Sequence, residues 1–180
     1  MRKYIIIGIA LLAILSGLNF FLMNLKRNQI LTDYGLKKLA IEELIEKLEN
    51  DQFPQEVRAS IFTDNLNLKI GGERFVYRLP NDLYYLSFAP YMNHTHECFI
   101  HSLTGCQGEI INQDILIKIY DEENNLLNEI TKNTGSDGFI GLFLTSTVNY
   151  RIEVEHAELK SVFYANAQSG QTCFTEVKLI

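Results

Sequence analysis

The histidines and cysteines of this chain are concentrated in one short segment. Residues 93–106 read NHTHECFIHSLTGC and hold three of the four histidines and two of the three cysteines in the 180-residue sequence. Because side chains alternate along an extended strand, His94, His96 and Cys98 would project from one face. Thiolates and imidazoles bind soft metal ions, and two thiols can also close to a disulfide. The segment therefore predicts a metal site or a disulfide loop.

The residues around Cys106 favour a turn that brings sulfur atoms together. Gly105 and Gly108 flank Cys106 closely enough to let the chain fold back toward Cys98, and His101 lies within the resulting loop. The third cysteine, Cys173, follows 67 residues beyond Cys106 in the sequence SGQTCFTEV. If the three cysteines form one site, the sulfur of Cys173 must lie beside the other two.

Three explanations of the cysteines stay open at this point. A structural disulfide between two of them is favoured outside the cytosol, but it leaves one thiol unpaired. A soft-metal site is the second explanation, since thiolate favours Cu(I) and Zn(II) and imidazole suits both. A thiol oxidoreductase is the third, and it is disfavoured because the sequence contains no C-x-x-C motif.

The first 27 residues predict a membrane segment. An apolar stretch runs from Tyr4 to Met23, interrupted only by Ser16 and Asn19, with two basic residues on each side. About twenty apolar residues in a helix are enough to span a bilayer core of ~30 Å. No convincing cleavage site follows the stretch, so we expect an uncleaved transmembrane anchor over residues 4–23; the alternative is a signal peptide with an unusual cleavage site.

The charge of the rest of the chain excludes one class of partner. All four charged residues of the first 27 are basic, so residues 28–180 carry twelve Lys or Arg against twenty-two Asp or Glu. A nucleic-acid-binding surface needs the opposite sign, so we expect no nucleic-acid partner.

An amphipathic helix is predicted before the main domain. Ile41, Leu44, Ile45 and Leu48 recur at helical spacing with glutamates between them, and Pro54 marks the end of the helical pattern. A helix this short is marginal alone, so its apolar stripe must pack on the main domain or on a partner chain. The second arrangement would make the protein a homodimer.

From Val57 onward the pattern is that of short β-strands. Runs of alternating apolar and polar residues recur at roughly ten-residue spacing, with a hairpin signal at Gly71 and Gly72. Ile115, Ile117 and Ile119 would share one face of a strand. No helical pattern separates these runs, which predicts a mainly β fold, an antiparallel immunoglobulin-like β-sandwich preceded by the transmembrane helix and the amphipathic helix.

These patterns divide the chain into a membrane segment, residues 1–27, a linker with the amphipathic helix, residues 28–56, and a β-sandwich, residues 57–180. The sandwich lacks a glycine-rich phosphate loop, a G-x-S-x-G elbow and an H-E-x-x-H motif. We therefore expect no conventional enzyme.

The stretch from His96 to Glu109, H-x-C-x-x-H-S-L-T-x-C-x-G-E, resembles the CueP family of exported copper-binding proteins, as do DGFIGLFL and QTCFTEVKL. The resemblance covers roughly residues 32–180. It implies an extracytoplasmic domain acting in copper resistance, whose cysteines take part in copper binding and reduction. The matching positions are Cys98, Cys106 and Cys173 as sulfur ligands and His96 and His101 as imidazole ligands, whereas His94 lies just outside the pattern.

The expected function is therefore that of a membrane-tethered, extracytoplasmic protein that binds Cu(I) through three cysteines with histidine support. A pair of its thiolates could also reduce two Cu(II) ions and close to a disulfide, and a copper-accepting protein would be a further partner. Two alternatives remain: an envelope protein with a structural disulfide and a role in adhesion or assembly, and a zinc-binding module.

Overall fold

The computed structural model describes residues 2–180, except for the side chains of residues 2–7 and 10. The chain forms two compact units, Met1–Ala40 and Ile41–Ile180. The helices are α1 Arg2–Asp33, α2 Ile41–Asn50 and a short 3-10 helix, Ala167–Ser169. The strands are β1 Val57–Ile61, β2 Asn65–Ile70, β3 Glu73–Arg78, β4 Leu83–Tyr91, β5 His101–Ser102, β6 Asp114–Tyr120, β7 Leu126–Asn133, β8 Ile140–Thr145, β9 Tyr150–His156, β10 Leu159–Ala165 and β11 Cys173–Lys178.

Helix α1 differs from the predicted membrane span. Among the described residues, no helix combines the length and the apolar character needed to cross a membrane, so the predicted transmembrane helix is wrong. The helix does not end at Met23 but continues to Asp33 through polar sequence. The side chains of residues 4–7 and 10, part of the predicted anchor, lie outside the described residues.

Helix α2 confirms the predicted apolar stripe. Leu44, Ile45 and Leu48 are buried, while the helix begins with two acidic residues, Glu42 and Glu43. Negative charges in the first turn stabilise a helix because they face the positive end of its dipole. The helix ends at Asn50, shortly before the proline that the sequence pattern identified.

The strands pair mainly antiparallel, as predicted, but they form three sheets and not the two of an immunoglobulin-like sandwich. The orders are β3-β2-β1-β5, β10-β9-β6-β7 and β11-β4-β8. In the third sheet β11 pairs parallel with β4. Strand β4 is buried along its whole middle, so neither of its faces is open to solvent. The predicted sandwich was wrong because alternation reports which side chains turn inward and not how strands group.

Local strand predictions were more successful. Gly71 and Gly72 join β2 and β3 with φ angles of 53° and 93°, the two positive values that a tight two-residue hairpin requires. Ile115, Ile117 and Ile119 point together into the main core. A smaller apolar cluster combines Ala89, Phe139 and Cys173, and the other two cysteines pack against it.

Candidate metal centre

The parallel pairing of β11 with β4 brings Cys173 to the segment that contains Cys98. Cys173 lies opposite Ser87 in the ladder, and the backbone N–H groups of Thr172 and Cys173 both donate to the carbonyl oxygen of Phe99, at 2.9 and 3.1 Å. Cys98 and Cys173 form a disulfide with 5.6 Å between their Cα atoms. The predicted closeness of Cys173 to Cys98 is confirmed.

Cys106 contributes the third sulfur atom. It follows β5 in a turn in which the N–H groups of Gly105 and Cys106 donate to the carbonyl oxygen of Ser102, at 3.1 and 3.0 Å. The N–H of Ser102 in turn donates to the Cys106 sulfur at 3.4 Å. That sulfur lies 3.7 Å from the Cys98 sulfur and remains a free thiol. The three sulfur atoms therefore form one cluster.

Two of the histidines lie beside this sulfur cluster, one at the protein surface and one in the interior. Ligand atoms of His96, Cys98 and Cys106 all lie within 4.8 Å of one another, and those of His101, Cys106 and Cys173 do the same. His96 is exposed and His101 is fully buried. Cys106 belongs to both groups, so the free thiol joins an exposed set of metal-ligating atoms to a buried one.

The remaining histidines are not part of either group within residues 2–180. The Nδ1 atom of His94 lies 3.3 Å from a carboxylate oxygen of Glu109. His156 stands at the end of β9, where its Nδ1 lies 3.1 Å from the carbonyl oxygen of Asp114. The sequence motif from His96 to Glu109 likewise contains neither residue.

A buried carboxylate, Glu49, completes the surroundings of His101 and was missed by sequence reasoning. Both of its oxygens lie 3.0 Å from Nε2 of His101, and the Ser87 hydroxyl donates to one of them at 2.9 Å. Burial alone would lower the pKa of His101, but the negative charge of Glu49, the nearby Cys106 side chain and the hydrogen bond that the ring donates to Glu49 raise it to about 9. The sequence does contain a signal: Glu49 follows Ile45 by four residues, so it lies on the apolar face of α2.

Another carboxylate, Glu109, fixes the loop that carries His94 and His96. It accepts hydrogen bonds from the N–H groups of Met92 and Asn93, at 2.6 and 3.0 Å, and from the Asn93 side chain at 2.9 Å. Hydrogen bonds from Asn93 and Met92 lower the pKa of Glu109 to about 2. Glu109 therefore stays ionised under ordinary conditions and holds the start of the loop in place.

Solvent reaches Cys106 through a small acidic pocket. Its volume is about 300 Å³, and its lining includes Glu49, Asp51, Asp137 and Cys106 but no lysine or arginine. Burial, with the nearby charge of Glu49, raises the pKa of Asp137 to about 6 despite a hydrogen bond from the Phe139 N–H. The pocket therefore presents carboxylates beside the free thiol, a setting that favours the approach of cations.

The turn after Cys106 packs tightly on the turn that contains Asp137. The N–H of Gly108 donates to the Asp137 carbonyl oxygen at 2.6 Å, and a Cβ atom at Gly108 would lie 2.5 Å from the carbonyl oxygen of Gly138. Gly138 has a φ angle of 81°. Only glycine allows this approach of two backbones, which fixes the position of Cys106 relative to the pocket.

Comparison with known proteins agrees with this arrangement. The family model "Periplasmic copper-binding protein CueP" matches residues 40–178. A solved structure described as "Crystal Structure of S.CueP" superimposes with a TM-score of 0.80 at 30% sequence identity, covering 86% of this chain and 97% of that chain. No curated protein matches the sequence. With its cysteines gathered on a β-rich fold of this kind, the chain belongs to the CueP family of periplasmic copper-binding proteins.

Proposed function

We propose that this protein binds copper as Cu(I) through the sulfur atoms of Cys98, Cys106 and Cys173, with His101 and His96 as nitrogen donors. The observation that supports this most directly is the convergence of three sulfurs from separate parts of the chain. Cys98 and Cys106 are 3.7 Å apart, and Cys173 reaches both. A metal ion with bonds of about 2.3 Å to sulfur needs its sulfur ligands at roughly this separation.

The softness of the donors favours copper in its reduced state. Cu(I) prefers thiolate sulfur, whereas the harder Cu(II) prefers nitrogen and oxygen. Full use of the three sulfurs requires reduction of the Cys98–Cys173 bond, which yields two thiols, and each thiol must lose its proton to bind the metal. In this proposal the disulfide is the oxidised state of the centre, in which the three-sulfur Cu(I) site is not available.

The same pair of cysteines can supply electrons. When two thiolates close to a disulfide they release two electrons, which reduce two Cu(II) ions to Cu(I). Cys98 and Cys173 already occupy positions that allow the bond, while Cys106 stays free to retain a Cu(I) ion. The protein would thus convert incoming Cu(II) and hold the product outside the cytoplasm, before passing it to a copper-accepting protein.

Anaerobic titration of the reduced full-length chain with Cu(I) tests the proposal. We expect near-unit stoichiometry, and each of Cys98→Ser, Cys106→Ser and Cys173→Ser should weaken binding by at least about tenfold, because oxygen is a poor replacement for thiolate. His156→Ala is the matched control and should bind like the wild type. Adding Cu(II) to the reduced protein should release Cu(I) to a selective chelator with loss of titratable thiols.

Two results would contradict the proposal. Wild-type affinity for Cu(I) in all three serine variants would remove the cysteines from the centre. A preference for Zn(II) over Cu(I) in direct competition would favour the zinc-binding alternative. The structural-disulfide alternative has an observation of its own, the Cys98–Cys173 bond, and would be favoured if the reduced protein bound neither metal.

A further inference from the structure

We propose that Glu49 is a positioning residue of the metal centre: it binds Nε2 of His101 and so makes Nδ1 the nitrogen that faces the sulfur atoms. Helix α2, which carries Glu49, is then part of the centre and not only a cover for the core. This inference rests on the function proposed above, because it concerns how one of the proposed ligands is oriented.

The first step of the argument is the burial of the pair. The side chain of Glu49 is 6% exposed and that of His101 is 0% exposed. An ionised carboxylate is costly to bury unless donors surround it. Glu49 has such donors in His101 and in the Ser87 hydroxyl at 2.9 Å. Its position is therefore held by both partners at once.

The second step concerns the two nitrogens of the imidazole ring. A ring nitrogen 3.0 Å from both oxygens of a carboxylate carries the hydrogen, because a carboxylate can only accept. In the neutral ring the lone pair is then on the other nitrogen, Nδ1. Carboxylates commonly fix metal-binding histidines in this way, by holding the nitrogen that does not bind the metal.

The third step is that Nδ1 of His101 is buried without a hydrogen-bonding partner among the residues that the structure describes. Leaving a buried nitrogen without a partner is costly, so its presence calls for a ligand. The sulfur atoms of Cys106 and Cys173 and one nitrogen of this ring all lie within 4.8 Å of one another. Phe139 packs on the ring with 4.8 Å between centroids and limits its rotation.

Glu49→Gln in the full-length chain is the decisive variant, because it keeps the shape of the side chain but removes its charge. We expect an approximately tenfold loss of Cu(I) affinity, the range seen when residues that orient metal ligands are changed. The same change should have no additional effect in a His101→Ala background, since Glu49 acts through that ring. Glu46→Gln, on the exposed face of the same helix, is the matched control and should bind like the wild type.

A second measurement does not depend on any variant being folded or on copper. Nitrogen NMR of the reduced wild-type protein, at a pH where the spectra themselves show the His101 ring to be neutral, should show the hydrogen of that ring on Nε2. A hydrogen on Nδ1 would overturn the inference, as would equal losses from Glu49→Gln with and without His101. Failure of the wild type to bind Cu(I) would instead contradict the proposed function and leave the NMR result as a separate test.

Discussion

Reduction of the Cys98–Cys173 bond should cost the protein much of its stability. The bond joins residues 75 apart in sequence. Closing a loop of that length restricts the unfolded chain enough to contribute about 4.5 kcal/mol to the free energy of unfolding in the chain-entropy model. A bond between Cys98 and Cys106, which are eight residues apart, would contribute only about 2.5 kcal/mol by the same relation. The two pairings are therefore distinguishable by stability.

Urea unfolding of the oxidised and reduced protein measures this difference. With a denaturant dependence of about 2 kcal/mol/M, the loss corresponds to a fall of about 2 M in the midpoint. Cys106→Ser is the internal control: it leaves the bond intact, so the oxidised variant should unfold close to the wild-type midpoint while its Cu(I) binding is impaired. Cu(I) added to the reduced wild type should recover part of the lost stability, because the folded state, in which the three sulfurs lie together, should bind the ion more tightly than the unfolded chain.

The reasoning would be refuted by either of two outcomes. A midpoint that does not change on reduction would show that the bond does not restrain the unfolded chain. Destabilisation of the oxidised protein by Cys106→Ser, to the extent seen for Cys98→Ser, would show that Cys106 takes part in the stabilising pair.

Three further predictions follow from the surroundings of the centre. The pKa of His101 is about 9 in the folded protein against an ordinary value of 6.5, because Glu49 and Cys106 together outweigh the effect of burial. The protonated ring in these surroundings should therefore contribute about 3 kcal/mol to the free energy of unfolding, fully present below pH 6.5 and lost as pH rises through 9. Urea unfolding across that range measures this contribution, and a flat profile would contradict it. Glu109→Gln should speed hydrogen exchange at the Met92 amide, which would stay slow if the carboxylate did not hold the loop. Gly108→Ala should destabilise the protein by about 1–3 kcal/mol in thermal unfolding, because the added Cβ meets backbone 2.5 Å away, and an unchanged melting temperature would count against that contact.

Local features of the fold could be predicted because their causes are local. The stripe on α2 and the hairpin at Gly71 and Gly72 each depend on residues within a few positions of one another. The grouping of strands into three sheets could not be predicted this way. The parallel pairing of Cys173 with Ser87 joins distant parts of the chain, and nothing in either strand's alternation specifies the other strand.

The candidate metal centre was also predictable only in part. The His96 to Glu109 motif pointed to two cysteines and two histidines as candidate ligands, the QTCFTEVKL stretch added Cys173, and the closeness of Cys173 to the loop was expected. The sequence left the disulfide partner open, because spacing alone cannot select a pairing. The sequence argument did not single out Glu49, although its position beside the apolar stripe distinguishes it from the exposed Glu46.

The pairing of β4 with β11 affects how early, during synthesis and folding, the chain can bind copper. Ribosomes make Cys98 well before Cys173, and β11 finds its place beside β4 only after the intervening strands β5–β10 have been synthesised. Contacts between such distant segments form late, because the long loop between them must close first. If copper binds as proposed, an emerging chain lacks one of the three sulfur donors, and tight Cu(I) binding is expected only after β11 has paired with β4.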